Sequence, residues 1–594
     1  MTLTFAATYY ETLQSRGDTP FWITPNGSKS YADLVAQVRM WAGAFDTLKL
    51  QTGDKVMIAA KDDWLTATLF IAAVLDNKVP LVLSPEAGAP RLAAIGEQVQ
   101  PKMKLADAEN AGQNWTYGAT LCTTSDTPAN VADYNALQTE LDRVMAQSTP
   151  RDPICTSSED DTAYLLFTSG TTQAPKGAIL SHKNLAQQLT DITRVFELSP
   201  DARLFNGLVF YHTDGLIQGP VLCGFAGCAL VRPAAFAIER LEADLTFLEE
   251  TGSTHMISVP LVYKTILNHA PRDDYFRRPE FHAILSTAAR LEQDDWEGLE
   301  RRFGVPVINE YGMTETVAAC LFAGPHPEMG EKFTIGKPVG CVVSIRDEQG
   351  QNVGSGAQGE LWVKGPIVFQ GYFQDADRTA AVLQNGWLKT GDLVQQLEDG
   401  SIRIVGRLNT TINSGGFCIL PEEIDEALLR HQDVEDAYTV GLDHPEFGTI
   451  PVSAIVASGA ADTDLYAHCR DTLEPWKQPR KIVKVDILPR TGSGKADIER
   501  IKELLIDKLE ITLDPTTEVE AGILKLAALV FNVDEDQLEL DHGPDEIPGW
   551  DSFTHMTLAV EAEKKFEIKL KSTEVLELET LGDLMEIVLS RVEN

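Results

Sequence analysis

The sequence predicts a large N-terminal α/β part carrying a β-rich subdomain, then a small α+β part, then an all-helical C-terminal part. Three observations predict this. The chain has 594 residues, more than one hydrophobic core fills, so roughly two to four domains are expected. Up to about residue 405, apolar β-like runs alternate with helical segments, the pattern of parallel strands with covering helices. After about residue 514 the strand signal disappears and helical periodicity takes over.

Taken in order, KVMIAA (55–60) reads as a strand followed by the helix DDWLTATLFIAAVLDN, and VPLVLS (79–84) as a strand followed by APRLAAIGEQV. The apolar run at 65–75 is too short to span a bilayer and is expected to be a core helix. From 335 to 405, short β-like runs such as GELWVKG and SIRIVGR lie between Gly-rich turns and form the β-rich subdomain. Residues 408–510 mix EEIDEALLRHQDVEDAYTVGL with the strand-like VSAIVAS and KIVKVDILPR. The stretch DPTTEVE (514–520) reads as a linker. Beyond it, Val519, Ile523, Leu526 and Val530 share a helical face, as do Leu581, Leu584 and Val588, the last helix opening on a Thr580–Asp583 capping box.

Composition bounds the function. Hydrophobic residues make up 43% of the chain, an ordinary globular share, and the formal charge is −38. A phosphate backbone needs a basic face, so nucleic-acid binding is not expected. The acidity is concentrated: from Thr517 to Asn594, 19 Asp and Glu stand against 6 Lys and Arg. Cys122, Cys155, Cys223, Cys228, Cys320, Cys341, Cys418 and Cys469 show no CxxC spacing and read as reduced core thiols. The N-terminal MTLTFAATYYETLQSRGD lacks a basic start before an apolar run. A cytoplasmic protein without membrane attachment is the expectation.

The most informative stretch is Tyr164-Leu-Leu-Phe-Thr-Ser-Gly-Thr-Thr-Gln-Ala-Pro-Lys-Gly177. A β-like run feeds a loop of hydroxyls and glycine closed by Pro175-Lys176-Gly177. Such a loop offers backbone N–H groups, hydroxyls and one ammonium to a polyphosphate; read alone, a solvated Ser/Thr turn is the lesser alternative. GxxxxGK[ST] is absent, so it is not a Walker A loop.

TSGTTQAPKG resembles the phosphate loop of the adenylate-forming superfamily, which comprises acyl-CoA synthetases, nonribosomal adenylation domains and firefly luciferase. Gln173 stands where Gly is usual. The resemblance extends in order over nearly all of the first 500 residues. It implies nucleotide binding by Thr168, Ser169, Gly170, Thr171, Thr172 and Lys176, and by Asn309, Glu310, Tyr311, Gly312, Met313 and Thr314 of the NEYGMTE motif. Tyr311 would face adenine, Thr314 the α-phosphate, and Glu315 would hold Mg²⁺, which accepts one carboxylate completed by phosphate oxygens and water. Asp392 of WLKTGD would accept the ribose hydroxyls, and Arg407 would lie near the nucleotide.

Lys495, in LPRTGSGK, matches the family's catalytic lysine. A carboxylate attacking an α-phosphate brings two anions together, and one positioned ammonium can bridge both. Asn409, two residues after Arg407, matches the hinge about which the small domain turns in relatives, where Asp or Lys is usual. Gly415 and Gly416 would let a pantetheine arm approach the backbone.

Gly549-Trp-Asp-Ser552-Phe-Thr-His-Met556 resembles the modification site of acyl and peptidyl carrier proteins, with Ser552 receiving 4′-phosphopantetheine at a helix start and Phe553, Met556 and Val560 on one face. The resemblance thus implies an adenylation domain at 1–407, a mobile small subdomain at 408–510, a linker at 511–517 and a four-helix carrier at 518–594. ATP, Mg²⁺ and 4′-phosphopantetheine are the implied cofactors. A carboxylic acid, a phosphopantetheinyl transferase and a downstream synthase or other carrier-recognising enzyme are the implied partners.

Phe210-Tyr-His-Thr-Asp-Gly215 sits where relatives keep pocket residues, so His212, Asp214 and Gly215 are candidates for the acid site. His212 is similar to the histidine of acyl-CoA synthetases and counts as a catalytic candidate with Lys495 and Thr314. It stands where amino-acid-activating domains usually carry Asp, which implies an acid without an α-amine. Asp214 is open to holding a remote amine or to capping a turn. Gly224 and Gly227 would leave room for a chain or simply pack. In Ser286-Thr-Ala-Ala-Arg-Leu291, Thr287 replaces a usual Gly and Arg290 a usual Pro. An amino-acid-activating didomain, a ligase using free CoA, a luciferase-like oxygenase and an inactive carrier scaffold stand as alternatives.

Overall fold

The structure, a computed structural model, describes residues 4–592 except 86, 88, 108–118, 124–133, 169–175, 235, 348, 409, 411, 415–416, 445–447, 460–461, 474–476, 492–494, 512–519, 532, 534–536, 541, 545, 551, 567, 572–573 and 576–577. The chain divides into two compact units, Met1–Leu408 with Arg490–Lys495, and Asn409–Pro489 with Ala496–Asn594. Lys495 therefore belongs to the first unit.

Among the described residues, the first unit is built on three sheets. A nine-stranded sheet runs in the order Lys337–Pro338, Ala319–Ala323, Val307–Gly312, Ala283–Ser286, His255–Ser258, Arg203–Asn206, Ala229–Val231, Pro20–Thr24, Gly27–Ser30. Its middle strands pair in parallel and its edges antiparallel. A seven-stranded sheet orders Gly371–Tyr372, Lys176–Ser181, Thr162–Thr168, Val79–Val82, Lys55–Ala59, Met103–Asp107 and Ala119–Thr123. The third, antiparallel sheet of five strands holds Val342–Arg346, Gln358–Lys364, Leu383–Gln384, Trp387–Gln396 and Ile402–Arg407, the expected β-rich subdomain.

The parallel strands are buried, as strands covered on both faces must be. Helix Asp63–Leu75 shows why the apolar run at 65–75 needs no membrane: every residue from Thr66 to Leu75 is buried, and the Asp62 carboxylate caps the helix by accepting the Leu65 N–H at 2.9 Å. No helix among the described residues is long and apolar enough to cross a membrane. Gly224 and Gly227 prove to be packing and turn positions. A Cβ on Gly224 would lie 2.5 Å from the Tyr9 hydroxyl, and Gly227 ends its helix at φ +75°. Cys223, Cys228, Cys320 and Cys469 are buried free thiols.

In the second unit, Gly448–Ala457 pairs antiparallel with Val434–His444 and parallel with Lys481–Lys484, with helices Pro421–Leu429, Asp462–Thr472 and Ile498–Ile511 in the same α+β segment. The C-terminal segment is helical: Glu520–Phe531, Ser552–Lys565 and Leu581–Val592, with Glu574 and Val575 also helical. Ile523, Leu526, Leu581, Leu584 and Val588 share one core. The Thr580–Asp583 capping box forms, the hydroxyl accepting from the Asp583 N–H at 3.2 Å and the carboxylate from the Thr580 N–H at 2.8 Å. Val560 is 40% exposed, whereas Leu558, Ala559 and Ala562 of the same helix are buried; the side chains of Phe553 and Met556, expected on one face with Val560, lie outside the described residues.

Candidate active site

Strand Val307–Gly312 divides the site by simple alternation, since successive side chains leave a strand on opposite faces. Tyr311 is buried, and its hydroxyl donates to Asp392 Oδ2 at 2.5 Å. Asp392 lies on Trp387–Gln396, directly opposite Arg407 in the antiparallel register, which brings Arg407 Nε to 2.7 Å from Asp392 Oδ1. That contact is an ion pair without hydrogen-bond geometry, so Asp392 Oδ1 is buried and lacks a hydrogen bond among the described residues. Asn309 Oδ1 is in the same condition, while its amide donates to the Thr334 carbonyl at 3.2 Å. Buried acceptors without donors are costly, and ligand hydroxyls or amines satisfy them. Burial, and then the charge of Asp392, push the Tyr311 phenol well above its ordinary pKa.

Met313, Thr314 and Glu315 occupy the turn that follows. Thr314–Thr316 forms a tight helical turn closed by Val317 at φ +68°, ψ −62°, a strained conformation for a β-branched residue. Thr316 holds the strain in place: its hydroxyl accepts the Met313 N–H at 3.1 Å and donates to the Ala318 carbonyl at 3.1 Å. Gly312 is obligatory here, because a Cβ would sit 1.6 Å from the Ala318 carbonyl oxygen. Glu315 is 8% exposed and accepts the Tyr372 hydroxyl at 2.6 Å on Oε1. Tyr372 pairs with Ala178 on strand Lys176–Ser181, which itself faces Thr162–Thr168, with Thr168 opposite Lys176. The carboxylate is thereby tied to the strand that leaves the Thr/Ser loop. Ser169, Gly170, Thr171, Thr172 and Gln173 lie outside the described residues, as do Asn409, Gly415 and Gly416. Thr168 is described only as part of its strand.

Among the described residues no group of three or more His, Cys, Asp or Glu could hold a metal ion. A single buried carboxylate such as Glu315 fits Mg²⁺, which brings water and phosphate oxygens of its own.

Lys495 is an exposed residue, yet protein crowds its ammonium. The lost hydration lowers its pKa, as does Arg407, while the carboxylates of Asp214, Asp392 and Glu315 pull it back up. The Thr491 N–H donates to the Lys495 carbonyl at 2.7 Å and closes the turn that presents the lysine. His212 precedes the short helix Thr213–Leu216. Burial lowers its pKa, with Asp214 opposing and Lys495 reinforcing the shift. A Cβ on Gly215 would meet the Val209 carbonyl oxygen at 2.2 Å, so that glycine is required by packing.

Glu310 points to the other face of its strand from Tyr311. Its Oε1 accepts from Gln218 Nε2 at 2.7 Å, and Gln218 Nε2 also lies 3.2 Å from Asp214 Oδ1. Burial and the charge of Asp214 raise the Glu310 carboxyl to about 8, against smaller opposing effects from Thr287 and Gln218. Arg290 is exposed and pairs with Glu292 at 3.4 Å. Sequence reasoning missed Tyr372 and Gln218.

Ser552 opens its helix. Just before it, Trp550 stacks on Phe531 at 4.7 Å and donates from Nε1 to His555 Nδ1 at 2.9 Å. Indole is a donor only, so His555 accepts at Nδ1 and donates from Nε2 to the Val575 carbonyl at 2.6 Å. This relay fixes the entrance to the Ser552 helix.

Three family models match in order along the chain: AMP-binding enzyme over residues 10–373, AMP-binding enzyme C-terminal domain over 423–495, and phosphopantetheine attachment site over 521–588. The chain belongs to the AMP-binding enzyme family and is an adenylate-forming enzyme fused to a C-terminal carrier domain. It is similar to the sulfoacetate–CoA ligase of Cupriavidus necator, with 35% identity over 361 residues, 59% of this chain and 68% of that protein. It is 26% identical over 570 residues to the naringenin synthase of Pestalotiopsis fici, covering 92% of this chain and 21% of that protein. The fold matches ATP-bound MatB from Rhodopseudomonas palustris with a TM-score of 0.74 at 25% identity, over 84% of this chain and 98% of that one. The protein is accordingly an acid–thiol ligase that forms AMP from ATP and carries a domain for 4′-phosphopantetheine. A carboxylic acid substrate and a phosphopantetheinyl transferase follow from these domains.

Proposed function

We propose that the enzyme activates a carboxylic acid without an α-amine as acyl-AMP and loads it onto its own C-terminal carrier, priming a polyketide- or peptide-type pathway. The observation that carries this reading is the order of the three family matches on one chain. Support for the chemistry comes from Lys495, whose charge is felt together with those of Asp214, Arg407, Asp392 and Glu315.

In the first half-reaction a carboxylate oxygen of the substrate attacks the α-phosphorus of ATP and pyrophosphate leaves. Lys495 bridges the two anions, the Thr314 hydroxyl contacts the α-phosphate, and His212, neutral through burial, lines the approach of the acid. Tyr311 faces adenine with Asn309, Gly312 and Met313 around it. Asp392 takes the ribose hydroxyls beside Arg407. Thr168, Ser169, Gly170, Thr171, Thr172 and Lys176 hold the outer phosphates. Glu315 would hold Mg²⁺, which would neutralise phosphate charge. In the second half-reaction, after the 408–510 subdomain turns about Asn409, a thiol attacks the acyl carbonyl carbon and AMP leaves. Ser552 would carry the 4′-phosphopantetheine, which supplies that thiol, with Gly415 and Gly416 lining its approach. A carrier at 518–594 on a linker at 511–517 gives the thiol a roughly millimolar effective concentration. Residues 1–407 do the adenylation. The acyl group then passes to a downstream synthase or other carrier-recognising enzyme, in a cytoplasmic setting suited to reduced thiols.

Lys495→Ala tests the first step. Acid-dependent exchange of pyrophosphate into ATP is expected to fall by about 10²–10³-fold, with the melting temperature unchanged; exchange at the wild-type rate would refute the assigned role. The named CoA ligases among the relatives favour a second reading, transfer to free CoA. Free CoA is dispensable in the first reading and obligatory in the second.

A further inference from the structure

One wall of the first unit joins two carboxylates through a buried side-chain amide. Gln218 is fully buried and Glu310 is 5% exposed. Gln218 spends its amide N–H groups on the Glu310 and Asp214 carboxylates. That leaves Gln218 Oε1 and Glu310 Oε2 buried with no hydrogen-bond partner among the described residues. Thr287 stands near enough to favour the ionised form of Glu310 without closing a hydrogen bond to Oε2.

The wall is held rigidly. Asn206 Nδ2 donates to the Asp214 carbonyl at 2.8 Å and the Gln218 carbonyl at 3.2 Å, pinning a helical segment that bends at Gly219 and Pro220. Asp214 is partly exposed, so the wall opens at its end toward the His212 ring and the Lys495 ammonium. A folded chain tolerates orphaned acceptors where a ligand supplies the missing donors. Two carboxylates on one buried amide repel when both are ionised, and a cation between them relieves that repulsion.

Resting on the adenylation reading above, we propose that Asp214, Gln218 and Glu310 form the specificity wall of the acid pocket and receive a nitrogen base, an amine or guanidine, that the substrate carries apart from the carboxylate being activated. The raised pKa of Glu310 fits this: the pair retains a proton that a bound cation displaces. Gln218 orients Glu310 and selects by position, whereas Asp214 and Glu310 supply the charge.

The test uses the full-length chain with Mg·ATP and matched acids of several lengths, each ending in a methyl, a hydroxyl, an amino or a guanidino group. Pyrophosphate exchange is expected to show kcat/KM at least tenfold higher for the basic members than for their methyl counterparts. Asp214→Asn and Glu310→Gln should each shrink that ratio at least fivefold, mainly through KM. Calorimetry at pH 7 in buffers of different ionisation enthalpy should register about one proton released when the basic acid binds wild type and none with Glu310→Gln. Preference for methyl-ended acids, or a basic-acid preference untouched by both variants, overturns the inference and leaves adenylation standing. No exchange with any acid overturns the adenylation reading itself, and the inference with it.

Discussion

Burial sets the charge state of the groups around the site, and Glu310 illustrates the cost. Its carboxyl titrates near 8 when folded, against 4.5 for an unperturbed glutamate. Between those values the folded chain holds a proton that the unfolded chain has lost. The stability this confers is complete below about pH 4.5 and is lost as pH rises through 8, at up to about 1.4 kcal/mol per pH unit. The titratable groups facing it are Asp214 and the Tyr263 phenol. Glu310→Gln keeps the shape and the acceptor for Gln218 but cannot ionise. Its Tm should therefore exceed that of wild type by a margin that widens from pH 5 to pH 8 and then levels off. A margin independent of pH would show that Glu310 ionises as an ordinary surface glutamate. A functional group that destabilises its own fold is the expected trade between activity and stability.

The strand Val307–Gly312 and the turn after it do more to organise the site than any single side chain. Alternation along the strand sends Tyr311 toward Asp392 and Glu310 toward Gln218, so one strand serves two pockets of opposite character. The turn is possible because Gly312 has no Cβ to strike the Ala318 carbonyl oxygen at 1.6 Å. Gly312→Ala should cost about 2 kcal/mol or more in denaturant unfolding and displace Glu315 from Tyr372. Gly354→Ala is the control, because nothing lies within 4 Å of its added carbon; equal losses in both variants would refute the steric account. In the carrier, the Trp550–His555–Val575 relay plays the corresponding part, fixing the approach to Ser552 from a third helix segment.

Across the chain, what was legible in sequence was what local spacing encodes. Strand–helix alternation gave the parallel sheets and the Thr580–Asp583 pair gave its cap, while the motif order names Tyr311, Asp392, Arg407, Glu315 and Lys495 as candidates. The contacts that tune those residues join distant positions and leave no periodic trace. Tyr372 is 57 residues from Glu315, and Gln218 is 92 from Glu310. The buried Leu558 and Ala562 likewise pack against Phe531, Trp550 and Leu581, none of which is on their helix.

The proposal that one molecule both activates the acid and receives it is tested most directly by intact mass. The phosphopantetheinylated full-length protein, given Mg·ATP and a competent acid without CoA, should gain one acyl mass, removable by hydroxylamine. Ser552→Ala should gain none while still exchanging pyrophosphate. An unmodified wild-type mass, with acyl thioester appearing only when free CoA is added, would contradict the account.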